Sequence, residues 1–165
     1  MATMPTSEQR QESRVPALEE SFFCISRAFY TYVTFLERML EKHDLSSSVQ
    51  PGMGHVLFAL FESDDVIIQD LIERTQLSRT TLTRLVRLMD KQKLITRHRD
   101  PADARATRIR LTRKGRSLER KCFDVIDELR QVVEEGMSPR QVLAVKEGLR
   151  KMTRNMKSHV LGADA

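Results

Sequence analysis

The chain contains no tryptophan and only two cysteines, and aromatic residues make up 5% of its 165 positions. Cys24 and Cys122 are too few for a disulfide framework and too far apart for a CxxC pair, which excludes the stapled secreted scaffolds. No apolar run approaches the ~20 residues needed to cross a bilayer. The opening MATMPTSEQRQESRV lacks the apolar centre of a signal peptide. A cytoplasmic protein with no membrane partner is therefore expected. A Gly-rich phosphate loop, paired carboxylates in an apolar setting and a Ser-His-Asp order are also missing. His43, His55, His98 and His159 are scattered without ligand spacing. An enzyme, a metal site and a resident cofactor are not expected.

Acidic residues are scarce in one place. Residues 66–115 hold thirteen Lys and Arg against five Asp and Glu, a net charge of +8. The remainder nets −3, so the whole +5 comes from the middle third. Such concentration is the electrostatic footprint of a nucleic-acid binder, because phosphate contacts supply most non-specific affinity. A basic membrane-surface helix would need a wide apolar face beside the basic one, and no segment combines them.

The two ends of the chain carry helical stripes. Leu18, Phe22, Ile25, Phe29, Tyr32, Leu36 and Met39 recur in alternating steps of four and three, close to a heptad, before the breaking run KHDLSSSVQPG. The same spacing returns at Leu118, Cys122, Val125, Leu129 and Val132, and again at Val142, Val145, Leu149, Met152 and Met156. Ser138 and Pro139 are suited to start the last helix. The compact middle is too small to bury all three stripes, so they are expected to pack on a second copy of the chain. Residues 1–15, poor in apolar side chains, read as a disordered tail.

Between the stripes, MGHVLFALFE reads as a buried helix, and the next segment as two short helices broken at TQLS. Ser78 is a good N-cap for the second, with Leu82, Leu85, Val86 and Met89 inward. LITRHR and TRIRLT alternate as edge strands do, and Thr112 can cap the following helix. Helix–helix–turn–helix–strand–strand is the order of a winged helix-turn-helix. The fold class expected is mainly α with a small β-hairpin wing (α+β). Residues 16–50 would be an N-terminal dimerisation helix and linker, 51–112 the winged helix-turn-helix, and 113–165 the C-terminal dimerisation helices.

The second helix of such a pair enters the major groove. Its outward face would carry Arg79, Thr80, Thr83, Arg84 and Arg87 with Thr81 beside them, and almost no acid before Asp90. Arginine can grip guanine bidentately, and threonine offers a hydroxyl and a methyl to base edges. Ser78 opens a helix whose N-terminus suits a phosphate. The stretch RDPADARATRIRLT places four arginines on a hairpin that offers little apolar face to bury. Its connection DPADARA is too long for a tight turn and must protrude. Arg105 near the tip can enter a minor groove. Asp103 can hold its guanidinium or, alternatively, form the turn through backbone bonds. Arg97, Arg99, Arg108 and Arg110 would then meet phosphates.

The stretch Asp103-Ala104-Arg105 followed by ATRIRLT resembles the D-x-R-x5-L-T signature of the multiple-antibiotic-resistance regulator (MarR) family. The likeness runs upstream through LSRTTLTRLVRLMDKQKLITRHRDPAD and downstream into LTRKG, covering roughly residues 55–116. The ends match in helical layout. The resemblance implies a homodimeric, sequence-specific DNA-binding transcription factor, usually a repressor released by a small aromatic or phenolic ligand. It places the recognition helix at about 78–91, the wing at 97–110 and the minor-groove arginine at Arg105. Its partners would be a pseudo-palindromic duplex operator and a second copy of the chain. The family's pocket position points to Arg27, Tyr30, His55 and Phe58 as ligand residues, with Val33 and Thr34 nearby. Two other readings are an oxidant sensor acting through Cys24 and a winged-helix protein-interaction module that binds no DNA. Cys24 lies in FFCIS, which reads as core, where a thiol is inert.

Overall fold

Leu40 and Leu45 are both buried because the backbone between them reverses: Asp44 takes φ +55°, and the Leu45 amide donates to the Leu40 carbonyl at 2.7 Å. This reversal ends the long first helix in the computed structural model, which describes residues 17–161. The expected tail at 1–15 lies outside the described residues. A 3-10 turn, Ala17–Glu19, precedes helix α1 (Ser21–Lys42). There follow α2 (Met53–Glu62), strand β1 (Val66–Ile67), α3 (Ile68–Thr75) and α4 (Arg79–Lys91). Strands β2 (Ile95–Arg99) and β3 (Thr107–Leu111) lead into α5 (Arg113–Ser117), α6 (Glu119–Val133) and α7 (Pro139–Leu161). The chain divides into two compact units, Met1–Val125 and Ile126–Ala165.

In the first unit, α2, α3 and α4 close over one core. Met53, Val56, Leu57, Leu60, Leu71, Leu82 and Met89 are fully buried. Burying each such side chain contributes roughly 1.5–3 kcal/mol. The expected inward set Leu82, Leu85, Val86 and Met89 is buried to the last residue. Gln76 at φ +57° makes the turn between α3 and α4, where TQLS was expected to break the helices. Ser78 caps α4 by accepting from the Thr81 amide, and Thr112 caps α5 by accepting from Gly115.

The sheet has one strand more than the expected hairpin. Its order is β1-β3-β2, all antiparallel, with Val66 opposite Ile109 and Arg97 opposite Ile109 on the other side. The helix expected to open on VII begins two residues later, at Ile68, because Val66 and Ile67 pair with β3 instead. The hairpin also has an apolar face after all. Ile95 and Ile109 are fully buried and Leu111 nearly so, while Arg108 and Arg110 alternate to the other face of β3.

The first half of the α1 stripe is largely uncovered within the chain: Phe22, Phe29 and Tyr32 are 59%, 58% and 44% exposed. FFCIS is therefore not core in the single chain, and Cys24 is exposed. α6 begins with buried Cys122 and Val125. In the second unit it ends at Val133, and Gly136 at φ +72° turns the chain toward Ser138, whose hydroxyl accepts from the Gln141 amide at the start of α7. Leu143, Val145, Leu149, Met156 and Val160 on α7 are exposed, and Lys146 pairs with Glu134 at 3.1 Å. Among the described residues no helix is long and apolar enough to cross a membrane.

Candidate nucleic-acid interface

Helix α4 presents its polar side as the sequence pattern dictates. Arg79, Thr80, Arg84 and Arg87 are exposed, and Thr81 and Thr83 are half-buried. No acid occupies its first turn. Its N-cap and first turn are already partly engaged. Ser78 Oγ accepts from the Thr81 amide and donates to Thr81 Oγ1 at 2.9 Å, so its hydroxyl serves the cap. Arg79 Nη2 donates to Gln69 Oε1 on α3 at 3.1 Å. Arg84 and Arg87 form no ion pair with another described residue.

The wing carries fewer free cations than its composition implies. Arg97 pairs with Asp90 at 2.7 Å. Arg108 donates from Nη1 to Asp100 at 2.5 Å, from Nε to Asp65 Oδ1 at 3.2 Å, and from Nη2 to the Asp65 carbonyl. Arg110 pairs with the other Asp65 oxygen at 2.5 Å, and His98 Nε2 lies 3.0 Å from Asp65 Oδ1. The expectation that Arg108 and Arg110 wait for phosphates is thus corrected: β3 turns them toward carboxylates supplied by the segment before β1 and by the wing's own entry. Arg99 and Arg105 remain exposed and form no ion pair with another described residue.

Asp100 organises the loop. Its carboxylate accepts from the Ala102 and Asp103 amides at 2.7 and 3.0 Å as well as from Arg108, and its own amide donates to the Ala106 carbonyl at 3.0 Å. Of the two roles expected for Asp103, the structure displays the turn: Oδ1 accepts from the Arg105 backbone amide at 2.9 Å. The electrostatics follow from these bonds. The Arg110 guanidinium, aided by Arg108, holds the Asp65 carboxyl below the usual carboxylate value. Arg108 and then the two backbone amides do the same for Asp100, and Asp100, then Asp65, raise Arg108.

Sequence reasoning missed Asp64, Asp65 and Asp100. Asp64 ties three elements together, accepting from the Asp65 and Leu111 amides and pairing with Arg116 at 2.8 Å. The adjacent acids at 64–65 were visible, but their arginine partners, Arg108, Arg110 and Arg116, lie more than forty residues downstream.

The residues considered for a small ligand stand in the first unit. Arg27 Nη2 donates to the Leu18 carbonyl at 2.7 Å and to Cys24 Sγ at 3.6 Å. Tyr30 is exposed beside Phe29. His55 is exposed one turn ahead of Phe58, whose ring stands edge-on to Phe61 and Phe123. No hydrogen bond or ring contact joins these four among the described residues.

A helix pair with a buried seam, a capped and cationic second helix and an arginine-bearing antiparallel wing define a winged helix-turn-helix protein. Residues 53–106 match the family model described as MarR family. The transcriptional repressor IacR of Pseudomonas putida is 25% identical over 154 residues, which cover 93% of this chain and 87% of the relative. BpsR of Bordetella bronchiseptica, whose DNA binding is regulated by 6-hydroxynicotinic acid, superposes with a TM-score of 0.74 at 23% identity, covering 86% of this chain and 98% of that one. The M. tuberculosis transcriptional regulator MOSR, solved in complex with DNA, reaches 0.69 at 25% identity, with 85% and 98% covered. The middle of the chain is thus similar to the MarR family, and the relatives it matches are transcriptional regulators.

Proposed function

We propose that this chain is a homodimeric, sequence-specific DNA-binding transcriptional regulator, a repressor that a small aromatic acid or phenol releases from a pseudo-palindromic operator. One observation carries the reading: the exposed side of α4 offers Arg79, Arg84 and Arg87 with Thr80, Thr81 and Thr83 and no acid before Asp90, on the same compact unit as Arg99 and Arg105, which form no ion pair with another described residue. Surfaces that merely solubilise mix both signs. Ser78 and Asp103 enter as the cap and the turn that set α4 and the Arg105 backbone, and Arg97 as a groove-edge cation shared with Asp90.

Dimerisation is supported by the apolar stripes left open on α1 and α7, whose heptad-like spacing suits a second copy. Residues 16–50 and 113–165 would serve that purpose and 51–112 the duplex. Two recognition helices about one DNA turn apart, roughly 34–36 Å, require the operator symmetry. Effector release is supported by BpsR and by the exposed His55 next to the Phe58 ring cluster, with Arg27 and Tyr30 on α1 as further candidates.

Exposed Cys24, with the Arg27 guanidinium 3.6 Å from its sulfur, favours a second reading in which an oxidant replaces the ligand. The test of the main reading is fluorescence anisotropy on duplexes from the flanking genome at graded salt. Affinity falling by orders of magnitude between low and moderate salt supports it. Failure to bind any duplex in dilute buffer rejects it in favour of a protein-interaction module.

A further inference from the structure

The wing loop is built around a carboxylate relay that begins outside it. Asp65, just ahead of β1, holds Arg108 through both its carboxylate and its carbonyl. Arg108 in turn holds Asp100, and the second Asp100 oxygen receives the Ala102 and Asp103 amides that shape the loop. Asp103 then receives the Arg105 amide. Each link is a hydrogen bond, and the four side chains involved, Asp65, Arg108, Asp100 and Asp103, are all charged, which strengthens the bonds. Asp65 takes φ +59°, a left-handed backbone that Asp and Asn tolerate and most residues do not. The segment thus adopts an uncommon backbone where its carboxylate meets His98, Arg108 and Arg110 at once.

We propose that Asp65 and Asp100 are positioning residues for DNA recognition: acting through Arg108, they aim the Arg105 backbone so that its side chain enters the minor groove, while Arg108 and Arg110 stay bound to carboxylates on the duplex. The inference rests on the DNA-binding reading above and deepens it. It divides the wing arginines by role. Arg99 and Arg105 face the nucleic acid; Arg108 and Arg110 face the protein. Without the relay the loop keeps its composition and loses its direction, and an arginine on a wandering loop enters a narrow groove at an entropic cost.

The experiment uses the full-length protein and the tightest duplex it selects from genomic fragments. Affinity is measured for the wild type, Asp65→Asn, Asp100→Asn, Arg105→Ala and the double variant Asp65→Asn/Arg105→Ala. Asparagine keeps the size and the left-handed tolerance of Asp65 and the acceptor oxygen of Asp100, and removes the charge. Asp65→Asn is expected to weaken binding about tenfold, the scale of one coupled charge contact. In the Arg105→Ala background it should add less than about twofold, because its target is gone. Hydroxyl-radical protection of the minor groove beneath the wing should vanish, while dimethyl sulfate protection of major-groove guanines persists. A role confined to general stability would lower both protections together and add its loss in both backgrounds, which would overturn the proposal. Unchanged affinity and footprint in both single variants would overturn it as well. If both fail to fold, the relay is a requirement of the fold and the positioning role is rejected. A wild type that binds no duplex removes the DNA-binding reading itself, whereas wild-type binding with unaffected variants removes only this inference.

Discussion

Gly115 lies so close to the Leu94 carbonyl that a Cβ built on it would stand 2.1 Å from that oxygen and 3.0 Å from a Leu111 methyl. The oxygen cannot retreat, because it also receives the Thr112 amide at 2.9 Å and the Thr112 hydroxyl. Gly115→Ala must therefore push α5 off the sheet. A loss of roughly 1–3 kcal/mol, the usual cost of overpacking, is expected. Urea denaturation at fixed protein concentration measures it, and an unchanged midpoint would contradict the close approach.

Arg105→Ala should weaken duplex binding without altering the melting temperature, since the side chain is exposed and forms no ion pair with another described residue. Arg84→Ala should relax preference at one base pair by roughly 1–3 kcal/mol. Binding to a panel of single-position operator variants separates base reading from phosphate contact. A uniform fall across the panel would assign Arg84 to the backbone.

Acid should loosen the wing. Asp65 and Asp100 have folded-state values below those of the unfolded chain. Their contribution is complete above the unfolded value, about 3.9, and is lost as pH falls through the lower folded values. Thermal stability should therefore decline on acidification below roughly pH 4, and less steeply in Asp65→Asn/Asp100→Asn. Between pH 5 and 8 these two groups should contribute no slope. Melting curves across the series decide it.

The two thiols should behave differently. Burial pushes Cys122 up to about 11, so it remains a protonated thiol at neutral pH, whereas Cys24 is exposed. Iodoacetamide at pH 7.5 followed by peptide mass mapping should show Cys24 modified and Cys122 modified only in denaturant. Native labelling of Cys122 would mean that α6 opens.

Phe29→Glu places a charge in the middle of the exposed α1 stripe. If that stripe pairs with a second copy, sedimentation velocity should show a shift from dimer to monomer, accompanied by a loss of operator affinity of several orders of magnitude as the two half-sites uncouple. A dimer that survives the change would place the interface elsewhere.

Local and periodic features were legible in the chain. Ser78 and Thr112 announced their caps, Gln76 lies within the expected TQLS break, and the inward face of α4 followed from spacing alone. The two-residue strand Val66–Ile67 was not legible, since VII suits a helix start equally well and only its pairing with β3 decides the matter. For the same reason Arg108 and Arg110 read as free cations: Asp65, which pairs with both, lies far back in the chain, and only the folded loop brings Asp100 to Arg108. The exposure of Cys24 was hidden because an apolar run looks the same in sequence whether or not its own chain covers it.

Strand β1 changes the mechanics of the wing. A freestanding hairpin could swing like a flap, but here β3 is the central strand, flanked on one side by two residues that lead straight into α3. Tilting the finger drags on the scaffold of the reading head. The strand that carries the finger is thus tied by backbone pairing to the two residues that open into α3, and the two are built as one piece.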